Sequence, residues 1–538
     1  LRRQCTKTRA QAQAGGLHQL TCLQETGSDP KELNVRPWRD HLDADDPLVT
    51  DDHPGSPGLV EQGTLLRLWA NRWEASPAAP LWKEGHRWWT AGEFDDATRR
   101  AAGRLRAAGL EPGDRLVWST GSSVDSLAAH VGALRAGLVV VPANTAYGER
   151  ELALIVSDVR ARGAVVERAD QAEWVRRAGG ITMVVTGPDL DLADGDPGEL
   201  DLAGAGDPAL ICFTSGTTGA PKGAVLRHRH LLAASESVTR AWRMDAEDRL
   251  VHCLPVFHAH GLVVGVYGTL TAGGSAVLLP GFDPGSVAAV AGDDRATLFF
   301  GVPTMYHRLV ASGRAAELSS LRLCVSGSAP LSADLHRAAT EAIGTVILER
   351  YGMTETLMNT SNPYMGERRA GTVGFPLPGV EVRIDDAGEV LLRGPNIFDG
   401  YFERDAANAE CFRDMGDGGG RWFATGDLGT DEDGYLVIRG RSKELIISGG
   451  FNVYPAEVED VLVRHPSIRE VAVTGTASDE WGEVVTAWVV VDGAAPSVEE
   501  LRAFSEGLLA PFKQPRLVRT IDVLPRNALG KVVRSQLE

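Results

Sequence analysis

From about residue 59 the chain alternates between two hydrophobic periods. Residues 95–109 carry apolar side chains at three- and four-residue intervals, which predicts an amphipathic helix ending at Gly109. Residues 115–119 read as a short strand, 123–137 as a helix, 138–142 as a buried strand, 152–162 as a helix and 163–167 as a strand. Strands alternating with helices imply βαβ units and parallel sheets, so the expected fold class is α/β. The character changes near residue 380. Residues 380–384, 389–393 and 435–439 read as short strands, with a glycine-rich surface loop at 416–420. After Gly440 a compact α+β unit follows, with strands at 445–448, 470–475 and 484–491 and a helix at 455–464. The expected division is a disordered extension over 1–58, a large domain over 59–440 and a small, mobile domain over 441–538.

The uncharged stretch from His258 to Phe282 is long enough to cross a membrane. Thr271-Ala272-Gly273-Gly274-Ser275 interrupts it and Pro280-Gly281 closes it, so a helix, a turn and a buried strand are expected and no membrane span. The chain has 538 residues, too many for one simple core. Its 54 basic and 72 acidic residues give a formal charge of −18, which argues against a nucleic-acid partner. Six scattered cysteines form no CxxC pair and no zinc-ligand spacing, and are expected to be reduced thiols. The polar, charged start carries no secretory signal and is not an Arg-rich, acid-poor transit segment, so a cytoplasmic location is expected.

Candidate chemistry begins at Thr214-Ser215-Gly216-Thr217-Thr218-Gly219-Ala220-Pro221-Lys222-Gly223, after the apolar strand 209–213. Glycines let backbone approach a phosphate, hydroxyls and amides donate hydrogen bonds, and Lys222 supplies positive charge. The spacing is not that of a Walker A loop. TSGTTGAPKG resembles the phosphate loop of the adenylate-forming superfamily of acyl-CoA synthetases, peptide-synthetase adenylation domains and luciferases. In order along the chain stand LRAGLVVVPAN (134–144), PVFHAHG (255–261), SGSAP (326–330), YGMTE (351–355), TGDLG (425–429), GRSKELIISGGFNVYP (440–455) and LPRNALGK (524–531). The resemblance spans about residues 60–538 and implies the fold of that superfamily.

It also implies a two-step reaction. A carboxylate attacks the α-phosphate of ATP, and a thiol then displaces AMP from the acyl-adenylate; both steps depend on positioning and electrostatics. Glu355 is the magnesium-ligand candidate, since a hard cation prefers carboxylate oxygen and bridges phosphates. By resemblance Thr354 touches the α-phosphate, Tyr351 packs beside the adenine, and Ser328 of SGSAP belongs to the nucleotide site. Asp427 can accept both ribose hydroxyls, with Arg441 as its partner. Lys531 is the expected catalytic lysine of the small domain, placed to neutralise charge between carboxylate and α-phosphate. Lys443 stands where the family has a hinge. Rotation there would exchange Lys531 for Gly449-Gly450-Phe451-Asn452, whose glycines leave room for the pantetheine arm of coenzyme A.

The acid is read from residues beside these motifs. Relatives that take aromatic acids have a small residue before the YGMTE tyrosine; here it is Arg350, whose guanidinium could bind a second carboxylate bidentately. An ion pair with Glu349 would be the alternative use of that arginine. Residues 349–374 resemble malonyl-CoA synthetases, and His258 and His260 fit that branch. Met358 and Ala259 are expected to limit the group on the α-carbon, with methylmalonate admitted. Three other readings compete. A peptide-synthetase-like domain would need an acid near His258, an acetyl- or medium-chain synthetase would not need Arg350, and a non-catalytic nucleotide-binding protein would be expected to lose Glu355, Lys531 or the loop. The expected function is thus an ATP- and magnesium-dependent acid–CoA ligase acting on malonate. Its oligomeric state stays open.

Overall fold

The computed structural model describes residues 33–35, 38, 63–214, 221–478, 480–527 and 531–537. It is a mixed α/β structure with a large N-terminal domain and a smaller C-terminal one. The large domain is built on two sheets of mainly parallel strands and a third, antiparallel one. The six-stranded sheet runs in the order Met183–Thr186, Gly163–Val166, Arg115–Ser119, Val139–Pro142, Pro208–Thr214, Lys222–Arg227. The nine-stranded sheet centres on Leu348–Tyr351, Leu323–Ser326, Leu298–Gly301, Arg249–His252 and Ser275–Leu278, all parallel to their neighbours in that run. Open sheets of this kind bind ligands beyond the carboxyl ends of their strands. Ser326, Arg350 and His252 stand at or next to those ends.

Local chemistry explains the elements. The helix Ala91–Ala107 starts at Thr90, which makes a capping box with Glu93, and the chain leaves it through Gly109 at φ +87°. Ser123 caps Val124–Arg135 by accepting from Ser126 N. That helix is buried at every position but Asp125, packed against the Ala91–Ala107 helix and the sheet. Gly132 permits the contact: a Cβ there would lie 2.6 Å from the Thr98 carbonyl oxygen. The stretch 258–282 folds as the π-helix His260–Tyr267, a short helix Gly268–Ala272, a turn at Gly273 (φ +78°) and the buried strand Ser275–Leu278. The π-helix was not expected from the sequence. No helix among the described residues is long and apolar enough to cross a membrane.

The extension expected over 1–58 is corrected at two places. Leu33–Asn34 pairs antiparallel with Ile384 and Arg383 at the edge of the third sheet. Val35 and Trp38 are buried, and Trp38 meets Phe375 edge-on at 6.4 Å between ring centroids. Burial of an indole gives these residues a reason to stay on the domain that composition alone did not reveal.

In the small domain Ile468–Ser478 and Gly482–Val491 form a long hairpin, joined by Ile446–Ser448, Phe451–Val453 and the parallel strand Leu517–Thr520. The helix Pro455–Leu462 packs Val458 and Leu462 onto it. Contact with the large domain includes Arg464 Nε to Asp334 Oδ2 at 2.8 Å. Cys212, Cys253 and Cys324 are buried free thiols and Cys411 a half-buried one.

Candidate active site

The phosphate-loop sequence joins two antiparallel strands, Pro208–Thr214 and Lys222–Arg227, with Thr214 paired to Lys222. Ser215, Gly216, Thr217, Thr218 and Gly219 lie outside the described residues. The two ends are thus held in register, and Thr214 Oγ donates to Lys222 O at 3.5 Å. The Lys222 ammonium sits 5.3 Å from the centre of the Tyr401 ring. Tyr401 in turn donates its hydroxyl to Glu355 Oε1 at 2.9 Å. Sequence reasoning missed Tyr401, which belongs to no motif; only the fold brings it under the lysine. Glu355 is buried, and burial raises its pKa despite the Tyr401 bond. Among the described residues no cluster of three or more His, Cys, Asp or Glu could hold a metal. Magnesium usually takes one or two carboxylates and completes its shell with phosphate and water. A single buried Glu355 facing the end of the phosphate hairpin fits that donor set.

A second group surrounds Asp427. Tyr351 OH donates to Asp427 Oδ2 at 2.5 Å, and Arg441 Nε pairs with Oδ1 at 2.7 Å. The antiparallel strands Arg421–Glu432 and Tyr435–Arg441 set this pair in register, and Arg441 also donates to Thr425 O at 3.2 Å. Burial raises the Asp427 pKa, opposed by Arg441 and Tyr351. Lys531 reaches the same place from the small domain. Burial and then Arg441 lower its pKa, while Glu444 and Asp427 oppose the shift. Thr354 is half-buried on the turn between Tyr351 and Glu355.

The third group surrounds Arg350. Successive residues of a strand face opposite sides. Glu349 therefore points away from Arg350, and its Oε1 accepts from Leu331 N at 3.2 Å. The expected alternative, an ion pair between the two, does not form. Arg350 is 4% exposed, and its Nε and one terminal nitrogen are buried without a hydrogen-bond partner. Burial pushes its pKa down to about 9, so it is still charged at neutral pH. The guanidinium lies against Gly327 of SGSAP, where a Cβ would come within 2.5 Å of Arg350 Nε. Ser328, with φ +72°, turns its Oγ to His260 Nδ1 at 3.1 Å. A non-glycine residue in that region costs energy and is a mark of functional sites.

His260 Nε2 and His258 Nε2 are also buried without partners. Burial, and then the neighbouring Arg350, hold His260 well below its ordinary pKa, and burial lowers His258 to about 4. Both rings are neutral at pH 7, so Arg350 supplies the positive charge among them. His252, which the motifs did not include, lies behind them at the end of its strand with both ring nitrogens unpartnered. Met358 is 1% exposed, and Ala259 is half-buried against the same core.

Three expected residues lie at the start of the small domain. Gly449 and Gly450 form an exposed hairpin turn at φ +60° and +82°. Gly449 also gives room to Trp481, whose ring would lie 2.8 Å from a Cβ at that position. Lys443 lies in the short helical turn Ser442–Glu444 that follows Arg441.

Comparison with known proteins shows the family. The AMP-binding enzyme profile matches residues 66–402, and the profile of the AMP-binding enzyme C-terminal domain matches 457–531. A feruloyl-CoA synthase from Amycolatopsis is 36% identical over 86% of this chain and 96% of its own length. A malonate–CoA ligase from Arabidopsis thaliana is 34% identical over 77% of this chain and 76% of its own. The crystal structure of ATP-bound MatB from Rhodopseudomonas palustris superposes with a TM-score of 0.82, at 38% identity over 88% of this chain and 98% of that one. This chain belongs to the AMP-binding enzyme family and is one of its ATP-dependent acyl-CoA ligases.

Proposed function

We propose that the acid is a small dicarboxylate, with malonate as the preferred substrate and methylmalonate as a second. The observation that carries this is the buried guanidinium of Arg350, two of whose nitrogens have no hydrogen-bond partner among the described residues. An isolated buried charge is costly unless a partner arrives, and breaking such a pair costs several kcal/mol. A monocarboxylic acid would place a methyl or methylene group against it. A diacid would place its second carboxylate there, bound bidentately, with the neutral His260 and His258 rings completing the hydrogen bonds. The distal carboxylate then fixes which end of the acid faces the nucleotide. Related malonate–CoA ligases in a plant and in the mouse, at 34% and 33% identity, favour the same substrate.

The rest of the site has a role in each step. Residues 214–222 would hold the β- and γ-phosphates and Thr354 the α-phosphate, and Glu355 would hold a magnesium ion, which would supply positive charge to neutralise the phosphates. Asp427 and Arg441 would hold the ribose and Tyr351 the adenine. Lys531 would stabilise charge developing between the carboxylate and the α-phosphate. The small domain would then turn about Lys443 and bring Gly449 and Gly450 to the site for transfer to coenzyme A.

The test is thioester formation with ATP, magnesium and coenzyme A across malonate, methylmalonate, succinate, acetate, butyrate, benzoate and ferulate. Malonate should give the highest kcat/KM. A preference for ferulate or benzoate, in line with the feruloyl-CoA synthase relative, would overturn the diacid reading and leave the ligase class standing.

A further inference from the structure

Lys531 is held by its backbone in a closed loop. Its N–H donates to Asn527 Oδ1 at 3.0 Å, and its carbonyl accepts from Asn527 N at 2.9 Å. Its buried ammonium lies within the fields of Arg441, Glu444, Asp427 and Arg534. Arg534, three residues further on, reaches back to two carboxylates. One terminal nitrogen donates to Glu444 Oε2 at 2.9 Å; the other donates to Glu459 Oε1 and Oε2 at 2.8 and 2.9 Å. All three side chains are about four-fifths buried. Glu459 is further held by the Val473 N–H at 2.7 Å, whereas Glu444 follows directly on Lys443 at the start of the small domain.

The charges leave little choice. Glu444 and Glu459 bring two negative charges against the single positive charge of Arg534. A lysine ammonium on a flexible four-carbon stem, within electrostatic reach of Glu444, can be drawn to that carboxylate, whereas Arg441, which Glu444 also reaches, is already paired with Asp427. Were Glu444 released, it would be free to form a direct ion pair with Lys531. That pair would turn the ammonium from the nucleotide toward the hinge.

We infer that Arg534 is a positioning residue for the adenylation step, occupying Glu444 so that this carboxylate does not capture Lys531. The inference rests on the reading of Lys531 as the adenylation lysine. It makes a directional statement that a purely structural role for Arg534 does not: loss of the arginine should be repaired by loss of the carboxylate it restrains.

The experiment separates the two half-reactions. Adenylation is followed as acid-dependent exchange of pyrophosphate into ATP, and transfer as thioester formed from supplied acyl-adenylate and coenzyme A. Arg534→Gln should slow adenylation by about tenfold or more while leaving transfer within about twofold, as expected when a reacting group is displaced without loss of the fold. Adding Glu444→Gln to Arg534→Gln should restore adenylation to within about threefold of Glu444→Gln alone, a coupling opposite in sign to that of two independent losses. Arg534→Lys, which keeps the charge, should retain most of the rate and shows that position 534 tolerates substitution. Equal loss of both half-reactions in Arg534→Gln, no loss in either, or a double variant slower than Arg534→Gln would each overturn the inference. Lys531→Ala run in parallel distinguishes the levels: adenylation surviving in that variant would remove the reading of Lys531 itself.

Discussion

Arg350 shows what could be read at the scale of one residue. Its charge and its place before Tyr351 were visible in the sequence; the strand Leu348–Tyr351, whose alternation separates it from Glu349, was not read there. What was not visible is the room it occupies. That room exists because position 327, some twenty residues away, has no side chain. Gly327→Ala should therefore fold, displace the guanidinium and lower kcat/KM for malonate by about tenfold or more, because a misplaced binding group loses its worth over short distances. Unchanged malonate kinetics in that variant would argue against the contact. Glu349, on the opposite face, gives a stability test. Burial raises its carboxyl to about 8, with the backbone bond from Leu331 opposing and Asp460, itself raised to about 6, adding to the shift. Below the unfolded pKa the folded and unfolded forms are both neutral there. As pH rises from that value through 8 the unfolded state ionises first, and stability falls by at most about 1.4 kcal/mol per pH unit. Glu349→Gln should leave the melting temperature unchanged well below the unfolded pKa, at about pH 3.5, and raise it relative to the native protein at pH 8. Equal shifts at both values would show that the group does not titrate in this way.

At the scale of elements, the strands and helices of the parallel sheets were legible because their periods are long and their ends chemically marked. The helices expected over 95–109 and 123–137 have ends within one to four residues of those observed, Ala91–Ala107 and Val124–Arg135. The pieces that were missed lack such marks. A π-helix has no period of its own distinguishable over eight residues, and His260–Tyr267 reads simply as apolar. The two-residue strand Leu33–Asn34 is too short for any alternation to show, and its partner lies 350 residues away. Trp38 next to it tests whether this edge belongs to the folded domain. Trp38→Ala should lower stability by about 3–5 kcal/mol in urea unfolding, the usual cost of removing a buried aromatic ring, with site chemistry intact. A midpoint unchanged from the native protein would return this stretch to the status of an appendage. The phosphate hairpin illustrates the converse: its residues were read from composition, but the pairing of Thr214 with Lys222 and the Tyr401 ring beneath the lysine are tertiary facts.

At the scale of the whole molecule, the site is assembled from two domains, and no single segment contains it. Lys531 meets Asp427 and Arg441 only because the small domain rests against the large one. The Arg464–Asp334 ion pair at that boundary is half exposed on both sides, so it contributes only about 0–1 kcal/mol and does not lock the pose. A weak contact there suits the proposed turning of the small domain between two reactions. Lys531→Ala should abolish adenylation, with a loss of about a hundredfold or more, and spare thioester formation from supplied acyl-adenylate. Equal loss of both steps would contradict the use of two poses. The order of motifs made both domains legible in advance, but not which of their residues face each other; the brace from Arg534 to Glu444 and Glu459 appears only once the chain has folded.

The central claim is that the Arg350 guanidinium awaits a carboxylate. The most direct test is the ratio of kcat/KM for malonate to that for butyrate, measured in the native protein and in Arg350→Met. The account predicts a ratio well above one that falls by about a hundredfold or more in the variant, chiefly through loss of malonate turnover, with butyrate unchanged or improved. A ratio unaltered by the substitution, or butyrate lost in parallel with malonate, would contradict it.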